Sequence, residues 1–133
     1  LGIGSRLLGI EIVPDAIADA HQNATINNLQ KISKFICDKA ENLHLHFDTL
    51  DSARQNPELL IVDPPRDGLH PSLVHRLATR KKEFAAKILY ISCNPVTMAR
   101  DAALFETHDI PLKFVQPVDL FPQTHHVEAI GIL

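Results

Sequence analysis

The sequence predicts an α/β domain built on a largely parallel sheet that ends in an antiparallel strand pair. Short apolar runs alternate with helix-period segments along the whole chain, the pattern left by strand–helix–strand units. Prolines stand where helices should open, at Pro14 and Pro71. The last two apolar runs, 114–118 and 127–133, are too close together for a crossover helix, so they must pair antiparallel. The chain has 133 residues, 45% of them hydrophobic and 22% charged, with 5 Gly, which suits one ordinary globular domain with a packed core. Nothing repeats internally.

Each element follows from its residues. Leu7 to Ile12 is a buried-type strand. Pro14 then starts a helix on which Val13, Ile17, Ala20 and Ala24 recur at helical spacing, ending near Asn27-Asn28. Ser33 to Cys37 reads as a second strand, Ala40 to Phe47 as a short helix or turn, and Asp48 to Pro57 as a polar connection. Leu59 to Val62 is a third strand, too short and too firmly bracketed by Pro57 and Asp63-Pro64-Pro65 to be a helix. Pro71 opens a helix with Val74, Leu77 and Ala78 inward and Arg76, Arg80, Lys81 and Lys82 mostly outward. Lys87 to Ser92 is the fourth strand, Val96, Ala99 and Ala103 give a further helical face, and the two antiparallel strands complete the domain.

Charge and composition exclude several functions. The formal net charge is -3, so no overall positive field draws the chain onto nucleic acid or an anionic membrane. The basic run Arg80-Lys81-Lys82 reads better as a solvated helix end than as an RNA patch. No apolar run approaches the roughly 18 residues of a spanning helix, and the N-terminal residues lack a signal-peptide layout. The expectation is a cytoplasmic protein with no membrane partner. Cys37 and Cys93 lie far apart in no Cys-x-x-Cys motif, so each reads as a thiol. The eight His are scattered, and in the adjacent His125-His126 pair the rings should point to opposite faces of a strand, so no metal site is expected.

In an open α/β sheet ligands bind at the carboxyl ends of strands. Glu11, Asp38 with Lys39, Asp63 and Cys93 stand at or just after four consecutive strand ends. A carboxylate at Glu11 suits both hydroxyls of a ribose, against the alternative of a solvated strand end. Gly2-Ile3-Gly4-Ser5 is not a phosphate loop, because its third glycine is missing and no helix follows it before the Glu11 strand. In Asp63-Pro64-Pro65-Arg66-Asp67-Gly68 two prolines stiffen the backbone and remove two donors, leaving Asp63 and nearby carbonyls to face a flat polar ligand; a rigid connecting turn would look the same. Cys93 directly follows a buried strand at the start of a helix, a position that favours a nucleophilic thiolate, although a lone cysteine there is commonly inert. Glu128, on a strand just after a Pro-bearing, His-rich turn, would be costly in a core unless used, and with Cys93 it makes a nucleophile and base pair.

Four segments carry a family resemblance. Asp63-Pro64-Pro65-Arg66-Asp67-Gly68-Leu69, the run from Tyr90 through Cys93-Asn94-Pro95 to Arg100-Asp101, and Asp119 to Glu128 resemble, in order and spacing, the late motifs of the RNA 5-methyluridine methyltransferases. Gly9 to Ile17 resembles the segment that follows that family's cofactor loop, and Met98 stands where leucine is usual. The resemblance implies a Rossmann-like, S-adenosylmethionine-dependent methyltransferase sheet. It implies that Cys93 adds to C6 of a uracil in tRNA or rRNA, that Glu128 removes the C5 proton, that Asp63 lies between uracil and cofactor, and that Glu11 holds the ribose of S-adenosylmethionine. Asp38 or Lys39 would lie near the adenine. Some relatives carry an iron-sulfur cluster, for which Cys37 and Cys93 do not suffice.

The family's full chains carry an RNA-binding portion before the catalytic domain, and its first strand and cofactor loop come just before the position of Glu11. Residues 1–133 are therefore expected to be the C-terminal part of a class I methyltransferase catalytic domain, a fragment with little or no methyl transfer alone. Two other readings stay open. One is a base amino-methylating enzyme, whose Asn/Asp-Pro-Pro-aromatic motif resembles the Asp63 turn but needs neither Cys93 nor Glu128. The other is a non-catalytic RNA-binding or scaffold module derived from the enzyme.

Overall fold

The structure, a computed structural model, describes residues 6–46, 57–80 and 87–133. The connection expected between Asp48 and Pro57 lies outside these residues except for Pro57, as do Gly2 to Ser5, Lys81 and Lys82. The elements are β1 (Leu7–Glu11), α1 (Pro14–Ile26), β2 (Ser33–Cys37), a 3-10 helix (Ala40–Leu45), β3 (Leu59–Val62), α2 (Pro71–Thr79), β4 (Lys87–Ser92), α3 (Pro95–Glu106), β5 (Phe114–Val118) and β6 (Glu128–Ile132). No helix among the described residues is long and apolar enough to cross a membrane.

Among the described residues the strands form two sheets, divided between the strand ending at Glu11 and the one leading to Asp63. By contacts the chain divides into two compact units, Leu1–Gln55 and Asn56–Leu133. In the first, β1 and β2 run parallel in the register Leu7↔Ser33 to Glu11↔Cys37. In the second the strand order is β3-β4-β6-β5, with β3 and β4 parallel and β6 antiparallel to both β4 and β5. Among the described residues β1 pairs with β2 alone and β3 with β4 alone, so each stands at the edge of its own sheet. The expected C-terminal antiparallel pair is present.

In the first unit α1 starts at Pro14, whose missing N–H costs nothing at a first helical position, and it buries Ala24. Ile17 and Ala20 are half-buried on the same stripe, while Val13 is exposed. At Gly9 an added Cβ would come within 2.7 Å of the Phe35 ring, so the aromatic side chain of β2 packs directly over the β1 backbone.

The second unit holds most of the core. Residues Ile88, Tyr90 and Ser92 of β4 alternate inward, and the register sets Tyr90 beside Gly131 and Ser92 beside Ala129, both buried. Helices α2 and α3 bury Leu73, Val74, Leu77, Ala78, Met98, Ala102 and Phe105. Burying side chains of the size of Phe105 or Leu77 contributes about 1.5–3 kcal/mol each. Gly131 gives α3 its seat, because an added Cβ would stand 3.5 Å from Met98 Sδ and 3.0 Å from Leu112 Cδ1. The α2 face is the expected one. The α3 face is not: Val96, Ala99 and Ala103 are exposed, and the helix turns Met98, Asp101, Ala102 and Phe105 inward. The larger side chains Met98 and Phe105 bury more area than three small or branched ones, and a carboxylate on the inward stripe hid that stripe from a hydrophobicity pattern.

Candidate active site

Three segments meet at the C-terminal ends of β3 and β4. The first is the junction of β4 and α3. Ser92, 3% exposed, donates its hydroxyl to Asn94 O at 2.9 Å and accepts from the Asn94 N–H at 3.1 Å. Asn94 in turn caps α3, its Oδ1 accepting from the Val96 N–H at 3.2 Å ahead of Pro95 at the first helical position. Cys93 is thus fixed from both sides. It is half-buried, and its thiol makes no hydrogen bond among the described residues.

The second segment is the turn after β3. Neighbouring parallel strands leave a sheet at the same edge, so Asp63 emerges beside the β4–α3 junction, exposed and with no hydrogen bond among the described residues. The Gly68 N–H donates to Pro65 O at 2.8 Å and closes the turn, with Gly68 at φ +80, a left-handed conformation that glycine adopts freely. Side chains of α3 and its cap hold this turn by its carbonyls. Asn94 Nδ2 and Thr97 Oγ1 both donate to Arg66 O at 3.2 Å, and Arg100 Nη2 donates to Asp67 O at 2.9 Å.

The third segment leads into β6. Glu128 opens that strand, half-buried and paired with Val118 of β5. The β4–β6 register ends with Ser92 against Ala129, so Cys93 follows and Glu128 precedes the members of that last pair. Both residues that the sequence singled out thus stand next to the same end of the β4–β6 pairing. Arg66 reaches across to the same segment and donates from Nη2 to His126 Nδ1 at 2.8 Å. The His125 charge, then burial, then Arg66 hold the His126 pKa below its ordinary value, which favours the neutral ring whose Nδ1 can accept from a guanidinium. His125 and His126 do not alternate across a strand as expected. They precede β6 in irregular backbone, which frees the rings from strand alternation, and their centroids lie 4.1 Å apart.

Glu11 ends β1 in the other unit. It is exposed, and its Oε1 accepts the Val13 N–H at 2.8 Å, which closes the turn into α1 and leaves the second oxygen without a hydrogen bond among the described residues. Asp38 is committed to its own turn. Oδ2 meets His46 Nε2 at 2.7 Å, while Oδ1 accepts from Asn42 Nδ2 at 2.8 Å and from the Lys39 N–H at 2.7 Å. The His46 hydrogen bond, then those of Asn42 and Lys39, lower the Asp38 pKa to about 2. No group of three or more His, Cys, Asp or Glu among the described residues could hold a metal ion.

Sequence reasoning gave no role to Arg66, His126 or Asp101. Asp101 is 2% exposed, and its Oδ2 accepts from Tyr90 Oη and the Leu69 N–H, both at 2.7 Å. Burial first, then this carboxylate, pushes the Tyr90 pKa up. The available signal was positional, since Asp101 falls on the Met98, Ala102, Phe105 stripe at i+3, where a carboxylate is expensive without partners.

Known proteins resemble this chain in sequence and in fold. An uncharacterized RNA methyltransferase of Streptococcus agalactiae is 46% identical over 128 residues, covering 96% of this chain and 27% of the relative. One from Staphylococcus aureus is 41% identical over 130 residues, covering 98% and 27%. The chain thus spans 27% of the length of these relatives. Among solved structures, the N-terminal domain of human METTL16 in complex with SAH matches with a TM-score of 0.64 at 15% identity, covering 96% of this chain and 51% of that one. A Methanococcus jannaschii fibrillarin pre-rRNA processing protein matches at 0.62 and 14%, covering 96% and 55%. The fold is that of the Rossmann-like S-adenosylmethionine-dependent methyltransferases. The tRNA (uracil-5-)-methyltransferase model matches residues 4–133, and with the RNA methyltransferases above it places the chain in that family.

Proposed function

We propose that this chain is the C-terminal catalytic part of a longer cytoplasmic enzyme that transfers a methyl group from S-adenosylmethionine to C5 of a uridine in tRNA or rRNA. The observation that supports the reading is the β4–β6 register, whose last pair, Ser92 and Ala129, is flanked in the chain by Cys93 and Glu128. C5 of uracil is too weak a carbon nucleophile to take a methyl group unaided. Cys93 Sγ adds to C6, and the C5=C6 electron pair moves onto C5 as an enolate carbon. S-adenosylmethionine supplies the electrophilic methyl group when bound. Glu128 then removes the proton from the methylated C5, the C5=C6 bond reforms, and the Cys93 thiolate leaves. Asp63, exposed and without a hydrogen bond among the described residues, is the carboxylate we assign to the base or the cofactor.

The Glu11 carboxylate fits a ribose. It is exposed at a strand's carboxyl end, and only one of its oxygens is taken by the Val13 N–H. Grip on RNA belongs to parts of the enzyme beyond this chain, consistent with a net charge of -3 and the 27% share of the relatives' length. The test is methyl transfer from labelled S-adenosylmethionine to uridine-containing RNA by the intact protein, followed by nucleoside analysis. Label in 5-methyluridine supports the reading. Label in another base, or robust transfer by residues 1–133 alone, overturns the corresponding half of it.

A further inference from the structure

A carboxylate as buried as Asp101 is expensive, and its contacts point to one loop. Oδ1 accepts from Arg100 Nε at 2.9 Å and Nη2 at 2.7 Å, and Oδ2 accepts from the Leu69 N–H and the Tyr90 hydroxyl. Arg100, oriented by Asp101, also donates from Nη2 to Asp67 O at 2.9 Å and Leu69 O at 3.3 Å. Gly68 completes the fit, because a Cβ there would stand 2.6 Å from both Arg100 Nη2 and Asp101 Oδ2. Three consecutive residues of the turn are therefore clamped by one acid–guanidinium pair on α3. Fold stability alone does not require this arrangement, since a buried carboxylate with its charged partner is commonly no more stabilising than packed apolar groups.

We propose that Asp101 and Arg100 are positioning residues, which hold the 66–69 turn so that Asp63 and the Arg66 side chain keep their places beside Cys93 and Glu128. The inference rests on the proposed uridine chemistry. Asp101 touches no reacting atom; it acts through Arg100 and the Leu69 amide. Because a misplacement near 1 Å at a reacting centre costs on the order of 100-fold in rate, a loosened turn shows in the chemical step before it shows in RNA binding.

The test uses the intact protein and an RNA carrying 5-fluorouridine, in which methyl transfer leaves no C5 proton to remove, so the covalent adduct accumulates. Arg100→Gln, at a side chain 55% exposed, removes the clamp without opening a cavity, and Arg100→Lys keeps the charge but loses the fork. Asp101→Asn is the companion variant at the buried end. Adduct formation in a single turnover is expected to slow by about 10- to 100-fold in Arg100→Gln and less in Arg100→Lys, with RNA affinity within about twofold and the circular dichroism spectrum unchanged. Wild-type rates in folded Arg100→Gln, with only a lower melting temperature, overturn the inference and leave the uridine chemistry intact. No adduct in the wild type overturns the proposed function instead.

Discussion

Replacing Gly68 by Ala imposes a conformational demand and a packing one together at the Asp101 clamp. Gly68 has φ +80, and an L residue forced into the left-handed region costs about 1–2 kcal/mol. The new Cβ would also stand 2.6 Å from Asp101 Oδ2, the atom that accepts from both Tyr90 Oη and the Leu69 N–H. Displacing that oxygen loosens two hydrogen bonds at about 0.5–1.5 kcal/mol each, because neither donor has water to turn to. The total, about 2–5 kcal/mol, is a large part of the ~5–15 kcal/mol that holds a domain folded. Tyr90 is the chain's one tyrosine, there is no tryptophan, and its side chain is 1% exposed, so its emission reports unfolding of this unit. Urea titration of residues 1–133 should show the Gly68→Ala midpoint lower by about 1–2.5 M, taking a denaturant slope near 2 kcal/mol per M. A midpoint within about 0.2 M of the wild type would mean that the turn relaxes freely and that the clamp is not rigid.

Two further outcomes follow from the site and its surroundings. The Asp38 carboxyl should titrate by NMR with a midpoint near 2, and His46→Ala or Asn42→Ala should move it back toward 3.8. Because the folded pKa lies below the unfolded one, the stability this carboxylate contributes is present above about pH 4 and is lost as pH falls toward 2. Glu128→Gln in the intact enzyme should still add Cys93 to uridine and accept a methyl group, but fail to release it. Methylated RNA then accumulates as a covalent species with ordinary uridine, and normal turnover by this variant would remove Glu128 from the base role.

Much of the fold was legible because its signals are local. Proline brackets and short apolar runs located the strands, and β3 and β4 start and end where the pattern puts them. The antiparallel β5–β6 pair followed from the short connection between the two strands. Other features were set by tertiary contacts. The inward face of α3 was misread because Asp101 interrupts its apolar stripe, and that carboxylate is affordable only with Tyr90, Leu69 and Arg100 around it. The Arg66–His126 contact joins residues 60 positions apart, a pairing that neither spacing nor propensity encodes.

The central claim is that Cys93 is the nucleophile of a uridine methyltransferase. Its most direct test is incubation of the intact protein with S-adenosylmethionine and 5-fluorouridine RNA, followed by denaturing electrophoresis and mass spectrometry of the protein–RNA species. The expected result is a stable adduct whose mass includes the transferred methyl group, mapped to the peptide containing Cys93 and absent from Cys93→Ala. An adduct that persists in Cys93→Ala, or methylation of uridine by that variant at the wild-type rate, would contradict it.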